Sequence, residues 1–96
     1  MIRALREFFL GRPRAPAPWS VECHTLPLSD GEIKSLVAAV ERAFLTNGGG
    51  FGGGDGEPWH AQFRLDPRVD GPAEREGLRA WLEARPEVTH ARVQSP

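Results

Sequence analysis

The sequence predicts a small α+β domain, a two-layer plait with the element order β-α-β-α-β. Two stretches carry apolar residues at helical spacing, and three others alternate apolar with polar residues. Alternation gives a strand one apolar and one polar face, whereas strands covered by helices on both sides are continuously apolar. We therefore expect both helices on one face of a three-stranded, mainly antiparallel sheet, and an open face on the other side.

The 96 residues suit one small domain, preceded by a distinct N-terminal part. Residues 1–18 are predicted to be an amphipathic segment followed by a proline-rich linker, and residues 19–96 to be the single α+β domain. From Met1 to Leu10 we expect a short helix, which is too short to be stable alone. It would pack on its own domain, on a second copy or in a partner's groove, lie in a membrane interface, or stay disordered.

The first strand is predicted at residues 19–26, with Trp19, Val21, Cys23 and Thr25 on its apolar face. Cys23 is therefore expected in the core. Neighbouring residues of a strand point to opposite faces, so the adjacent His24 cannot activate Cys23 as a nucleophile. A single cysteine also rules out an internal disulfide and fits a reducing compartment, which favours the cytoplasm.

The first helix is predicted at residues 28–47 and is the element against which the rest of the chain packs. Ser29 and Glu32 have the spacing of a capping box, with Leu28 and Ile33 placed as a hydrophobic staple. Asn47, followed by glycine, is expected to end the helix. The apolar stripe facing the sheet consists of Ile33, Leu36, Val37, Val40 and Phe44.

A glycine-rich stretch follows the helix, and we expect a flexible loop at residues 47–58. Gly48, Gly50 and Gly53 match the spacing G-x-G-x-x-G of dinucleotide-binding loops. In those loops a strand comes first and a helix follows, so that the helix N-terminus faces the phosphate. Here the run follows a helix, which argues against phosphate binding. The alternatives are a connector and a lid that carries Phe51 or Asp55 towards a ligand.

The second half of the chain predicts a strand, a helix and a strand. The strand at residues 59–66 alternates most regularly, and the last strand is expected at residues 88–94. Between them a helix begins at Asp70-Gly71-Pro72, with Asp70 as its cap. Gly77 lies inside this helix at a cost of about 1 kcal/mol relative to alanine, so we expect it to approach the sheet closely.

The element order resembles a ferredoxin-like plait that lacks one edge strand, with the glycine loop in its place. The resemblance concerns fold alone and implies no function. It places the first strand centrally, antiparallel to both neighbours. Glu22 would then lie in the middle of the open face between Arg64 and Arg92, a stabilising arrangement of opposite charges.

Composition and residue pattern argue against several classes of function. The formal net charge is −1, which gives no general attraction to nucleic acid or to anionic lipid. The aromatic residues of the strands are expected to face the core, so bases would have no platform for stacking. No apolar run approaches the ~20 residues of a membrane span. All but one of the 12 basic residues are arginine, which is typical of GC-rich bacterial genomes.

The open face is the candidate site. No catalytic set is recognisable, so we expect a small non-enzymatic regulatory module that binds another protein, or its own copy, through this face. All three histidines lie on it, and antiparallel pairing would bring them together. Three imidazoles can bind zinc, which makes a metal protein or metalloenzyme at His24, His60 and His90 one alternative. A pH-responsive surface is another. The predicted partner-binding residues are Glu22, His24, His60, Gln62, Arg64, His90 and Arg92.

Overall fold

The computed structural model describes residues 19–47 and 51–96. The predicted α+β class with an antiparallel sheet is confirmed, but the three-stranded sheet is wrong, because the described residues form five strands. The predicted helix at residues 1–10 lies outside the described residues. In chain order the elements are β1 (Ser20–Pro27), α1 (Asp30–Ala43), β2 (Thr46–Asn47), β3 (Phe51–Gly53), β4 (Pro58–Leu65), α2 (Pro72–Glu83) and β5 (Val88–Gln94).

Strand β1 lies in the centre of the sheet, antiparallel to β4 on one side and to β5 on the other, as predicted. Ala61 of β4 pairs with Cys23 on one side and with Phe51 of β3 on the other. Strand β2 pairs with β4 further along. Two short strands therefore occupy the edge that was predicted to be left to a loop. The resemblance to a ferredoxin-like plait is not confirmed.

Helix α1 begins as predicted. The Glu32 N–H donates to Ser29 Oγ at 3.2 Å, and the Ser29 N–H donates to Glu32 Oε1 at 2.8 Å, which completes the capping box. The predicted end at Asn47 is wrong, because the helix stops at Ala43 and Phe44 takes an extended conformation with φ −139°. Thr46 and Asn47 then pair with β4, and these strand hydrogen bonds replace a last helical turn.

Helix α2 begins with Pro72 at its first position, but two predictions about it fail. Its N-cap is Gly71, which has no side chain to cap the helix, while Asp70 accepts a hydrogen bond from Arg75 Nε at 2.7 Å. Gly77, expected against the sheet, is exposed, and nothing lies within 4 Å of the position a Cβ would take. The sheet therefore does not account for this glycine.

One hydrophobic core joins the helices to the sheet. Leu36 and Val40 of α1 and Leu78 and Leu82 of α2 are all 0% exposed, in one cluster with the inward residues of β1, β4 and β5. Both helices thus cover the same face of the sheet. The strand residues of this cluster are Val21, Cys23, Trp59, Ala61, Phe63, Leu65, Val88 and Ala91.

Trp19 departs from the predicted core. Its side chain was expected to face inwards, but Trp19 is 37% exposed, and the Arg75 guanidinium lies 4.3 Å from the ring centroid. This cation–π contact holds the indole at the margin of the domain. Trp81 is half-buried and packs edge-on against Phe44, with ring centroids 5.7 Å apart.

Part of the glycine stretch forms a left-handed turn between β3 and β4. Gly54 has φ +97°, a conformation that favours glycine, and a Cβ there would lie 2.5 Å from Ile33 Cδ1. The turn is tied to the start of α1, since the Gly56 N–H donates to Leu28 O at 2.7 Å and the Leu28 N–H to Glu57 O at 3.3 Å. The glycines after Phe51 therefore allow a tight connection under α1.

Candidate binding face

Alternation along three strands builds the open face. Every second residue of a strand points to the same side, and the inward set of β1, β4 and β5 is buried under the helices. All seven predicted residues lie on the opposite side. His60, His90 and Arg92 are exposed, and the remaining four are half-buried: Glu22, His24, Gln62 and Arg64.

The three histidines form a row across the sheet, which we call the histidine row. His24 of β1 lies directly opposite His60 of β4 and directly opposite His90 of β5. The imidazole centroids are 5.7 Å apart for His24 and His60, and 4.4 Å apart for His24 and His90. The rings are stacked, with interplanar angles of 19° and 13°. The register of β1 shifts against both neighbours directly after His24, so the row marks the end of regular pairing.

Strand β3 lies beside the histidine row, on the other side of β4 from β1. Gly52 lies opposite His60, and a Cβ on Gly52 would be 2.5 Å from His60 Nε2. The imidazole therefore lies over bare backbone, and a side chain at this position would have to displace it. Gly52 thus lies directly beside a residue of the candidate site.

Glu22 is held by three side chains in the middle of the face. Arg92 Nε and Gln94 Nε2 both donate to Oε1 at 2.9 Å, and His24 Nε2 lies 3.4 Å from Oε2. The hydrogen bond from Arg92 is the main cause that lowers the pKa of Glu22, aided by Gln94 and His24 and opposed by partial desolvation. Only 18% of this side chain is exposed, so its carboxylate is largely committed to neighbours within the domain.

Arg64 does not flank Glu22 as predicted. Glu22 pairs with Gln62 on β4 and with Arg92 on β5, while Arg64 lies two residues further along β4, opposite Asn47 of β2. The sheet register, which the alternating pattern does not determine, is the reason for this difference. The predicted ion pair with Arg92 is present.

The histidine row has a geometry that does not fit the zinc alternative. A metal lies in the plane of each imidazole that binds it, along the nitrogen lone pair. The stacked rings lie in nearly parallel planes, so the lone pairs within those planes do not converge on one point between the rings. Within residues 19–47 and 51–96, no group of three or more histidine, cysteine, aspartate or glutamate side chains is arranged to hold a metal ion.

Two further side chains could be reactive, but one is buried and the other is hydrogen-bonded. Cys23 is fully buried, as predicted, and burial raises the pKa of its thiol to about 12, which keeps it protonated and unreactive. Asp66 accepts hydrogen bonds from the Arg68 side chain at 2.8 and 3.0 Å, and these bonds lower the pKa of Asp66 to about 2. At neutral pH the thiol of Cys23 is therefore not a thiolate nucleophile, and the ionised carboxylate of Asp66 is not a general acid.

Comparison with known proteins adds no relative. No protein-family model, no curated protein and no solved structure matches the chain. Among the described residues, neither helix is long and apolar enough to cross a membrane.

Sequence reasoning missed two members of the site. Gln94 shares the polar parity of its strand with His90 and Arg92, and this parity could have identified it as a further ligand of Glu22. Gly52 could not have been found from the sequence, because its role depends on β3 pairing directly beside His60. Thr89 is also connected to the row, since its hydroxyl donates to the His24 carbonyl at 3.0 Å.

Proposed function

We propose that this domain is a small, non-enzymatic intracellular binding module that contacts another protein through its open face. One observation carries the proposal: three adjacent strands direct charged and hydrogen-bonding side chains to one side, away from both helices. Arg92, with 67% of its side chain exposed, lies at the centre of the strand β5. Arginine is enriched in protein interfaces, and interfaces of transient complexes are about as polar as ordinary surface.

Two features support a binding role over catalysis. The buried Cys23 thiol has a pKa of about 12, and the pKa of Glu22 is lowered by its hydrogen bond to Arg92. Catalytic groups are normally tuned in the opposite sense, towards the working pH. The interlocked side chains of the face form a fixed surface, which suits recognition, since little side-chain order has to be gained on binding.

We further propose a cytoplasmic, ferredoxin-like plait whose edge strand is divided into β2 and β3. The strand order supports the plait, because β1 is central between β4 and β5 and the divided edge lies beyond β4. The free, buried thiol of Cys23 supports a reducing compartment.

The test is a pull-down from native cell extract with three forms of the full chain: wild type, the double variant Arg64→Ala/Arg92→Ala, and the control Arg42→Ala. Arg42 is an exposed arginine of α1, on the other side of the sheet. We expect a protein that wild type and control retain and that the double variant loses. Retention of the same proteins by a folded double variant would remove the open face from consideration.

A further inference from the structure

The histidine row places three groups of the same chemistry on one surface. Histidine is the side chain whose charge ordinarily changes between about pH 5 and 8. The ring centroid of His24 lies 4.4 Å from that of His90 and 5.7 Å from that of His60. Every proton that these imidazoles take up therefore adds positive charge to the same patch. Like charges this close repel, and a negatively charged ligand placed over the row would relieve the repulsion.

The charged groups around the row do not cancel this charge. From β1, Glu22 faces His24 at 3.4 Å, but its other carboxylate oxygen already binds Arg92 of β5. From β4, the positively charged Arg64 lies on the same face, and from β3 the backbone of Gly52 lies opposite His60. The single carboxylate of these strands on the open face is therefore already shared when the imidazoles become charged.

These charges distinguish between possible occupants. A second copy of the chain would bring its own Arg92 and histidine row against the first, while Glu22 is only 18% exposed and already hydrogen-bonded. Recognition of single-stranded nucleic acid typically uses exposed aromatic rings on which bases stack, but Trp59 and Phe63 of β4 are buried. An acidic segment of another protein has the complementary charge, and its binding requires neither an accessible carboxylate nor an exposed aromatic ring on this face.

We infer that the partner presents an acidic segment to the open face and that its binding strengthens as the pH falls, because the histidine row becomes positively charged. This inference rests on the proposed function and names the chemistry of the partner and the regulation of the same site. A chain with no overall positive charge thereby acquires a local cationic patch under mildly acidic conditions.

The probe is a fluorescently labelled oligoaspartate peptide, whose carboxylates remain charged above about pH 5. Its Kd for the full chain is measured by fluorescence anisotropy between about pH 8 and about pH 5. We expect the Kd to decrease about three- to tenfold over this range, as for one or two exposed charge pairs gained.

His90→Lys should bind more tightly at the upper pH and respond less to pH. The triple variant His24→Gln/His60→Gln/His90→Gln should lose the response, while Arg42→Gln should keep it.

Three results would overturn the inference. The first is a peptide Kd that does not change with pH, or that changes equally in wild type and in the folded triple variant. If the pull-down partner is nevertheless lost on Arg64→Ala/Arg92→Ala, the binding module stands and only the acidic, pH-regulated partner is wrong. The second is tighter, histidine-dependent binding of a single-stranded oligonucleotide of equal charge, which would assign the face to nucleic acid. The third is a dimer in sedimentation that the double variant abolishes.

Discussion

At the scale of single residues, Glu22 connects stability to pH. Its pKa is lowered from 4.5 by the hydrogen bond from Arg92, then by those from Gln94 and His24. A carboxyl whose pKa is lower in the folded state stabilises that state above its unfolded-state pKa, and the stabilisation is lost as the pH falls through the folded-state pKa. The ionised form of Glu22 therefore stabilises the fold fully above about pH 4.5 and progressively less below it.

The corresponding variant is Glu22→Gln. We expect it to lower the free energy of unfolding by about 1 kcal/mol near neutral pH, because a charge-assisted hydrogen bond is replaced by a neutral one. The difference from wild type should shrink as the pH falls below about 4.5. Urea unfolding at several pH values measures this, with Glu41→Gln on α1 as the exposed control. A difference that is constant across pH would show that the carboxylate is not held as described.

Gly77 offers a second test at this scale. It lies inside α2, is exposed, and has open space where a Cβ would be. Gly77→Ala should therefore raise the free energy of unfolding by about 1 kcal/mol, since alanine costs less backbone entropy in a helix. Thermal and urea unfolding would measure the gain.

The matched control for Gly77 is Gly54→Ala. Gly54 has φ +97° and lies against Ile33, so alanine there should destabilise the domain. Equal effects of the two variants would contradict the placement of α2 and of the turn before β4.

These residues also show the limits of sequence reasoning at this scale. The polar parity of His24, His60 and His90 was predicted from alternation alone, and the structure brings the three together. The position of Arg64 was not predicted correctly, because a shift of register moves a side chain along the partner strand without changing the pattern. Gly77 was misinterpreted because an unfavourable residue was taken as a sign of close packing.

At the scale of elements, β5 has an edge that α2 protects. Among the described residues β5 pairs only with β1. On its outer side the Ala91 N–H donates to Glu83 Oε2 of α2 at 3.1 Å, and Arg79 Nη1 holds the other carboxylate oxygen at 2.5 Å. Both hydrogen bonds lower the pKa of Glu83, and the bond from Ala91 contributes most. A side chain bound to an edge N–H blocks the addition of another strand.

Glu83→Ala should therefore increase self-association of the domain, because the Ala91 N–H becomes available to a strand of another molecule. Light scattering after size exclusion, over a series of protein concentrations, measures this. Glu76→Ala is the matched control, since Glu76 is exposed on the same helix and also binds Arg79. Similar self-association of both variants would mean that Glu83 does not protect the edge.

The elements themselves divide into those that local chemistry specifies and those that it does not. The start of α1 was predictable, because Ser29 and Glu32 determine it through their own hydrogen bonds. The end of α1 was not, since Thr46 and Asn47 become a strand only through pairing with β4. The same holds for β3, whose glycine-rich sequence has low strand propensity and whose partner is distant in the chain.

At the scale of the whole molecule, both functional proposals depend on the antiparallel sheet and on its open face. Alternation in three segments predicted which face of each strand is open, and the element order, compared with a ferredoxin-like plait, predicted the antiparallel arrangement with β1 between β4 and β5. The partner was beyond prediction, since recognition depends on the register and on how Glu22 is already committed to Arg92 and Gln94.

Nuclear Overhauser contacts between the imidazole protons test this claim most directly. The structure predicts cross peaks from His24 to His90, whose ring centroids are 4.4 Å apart, and weaker ones from His24 to His60 at 5.7 Å. His24 should show none to the methyl groups of the buried Leu36 or Leu78. Contacts from His24 to neither histidine, or to those core methyl groups, would contradict the sheet register and with it both functional proposals.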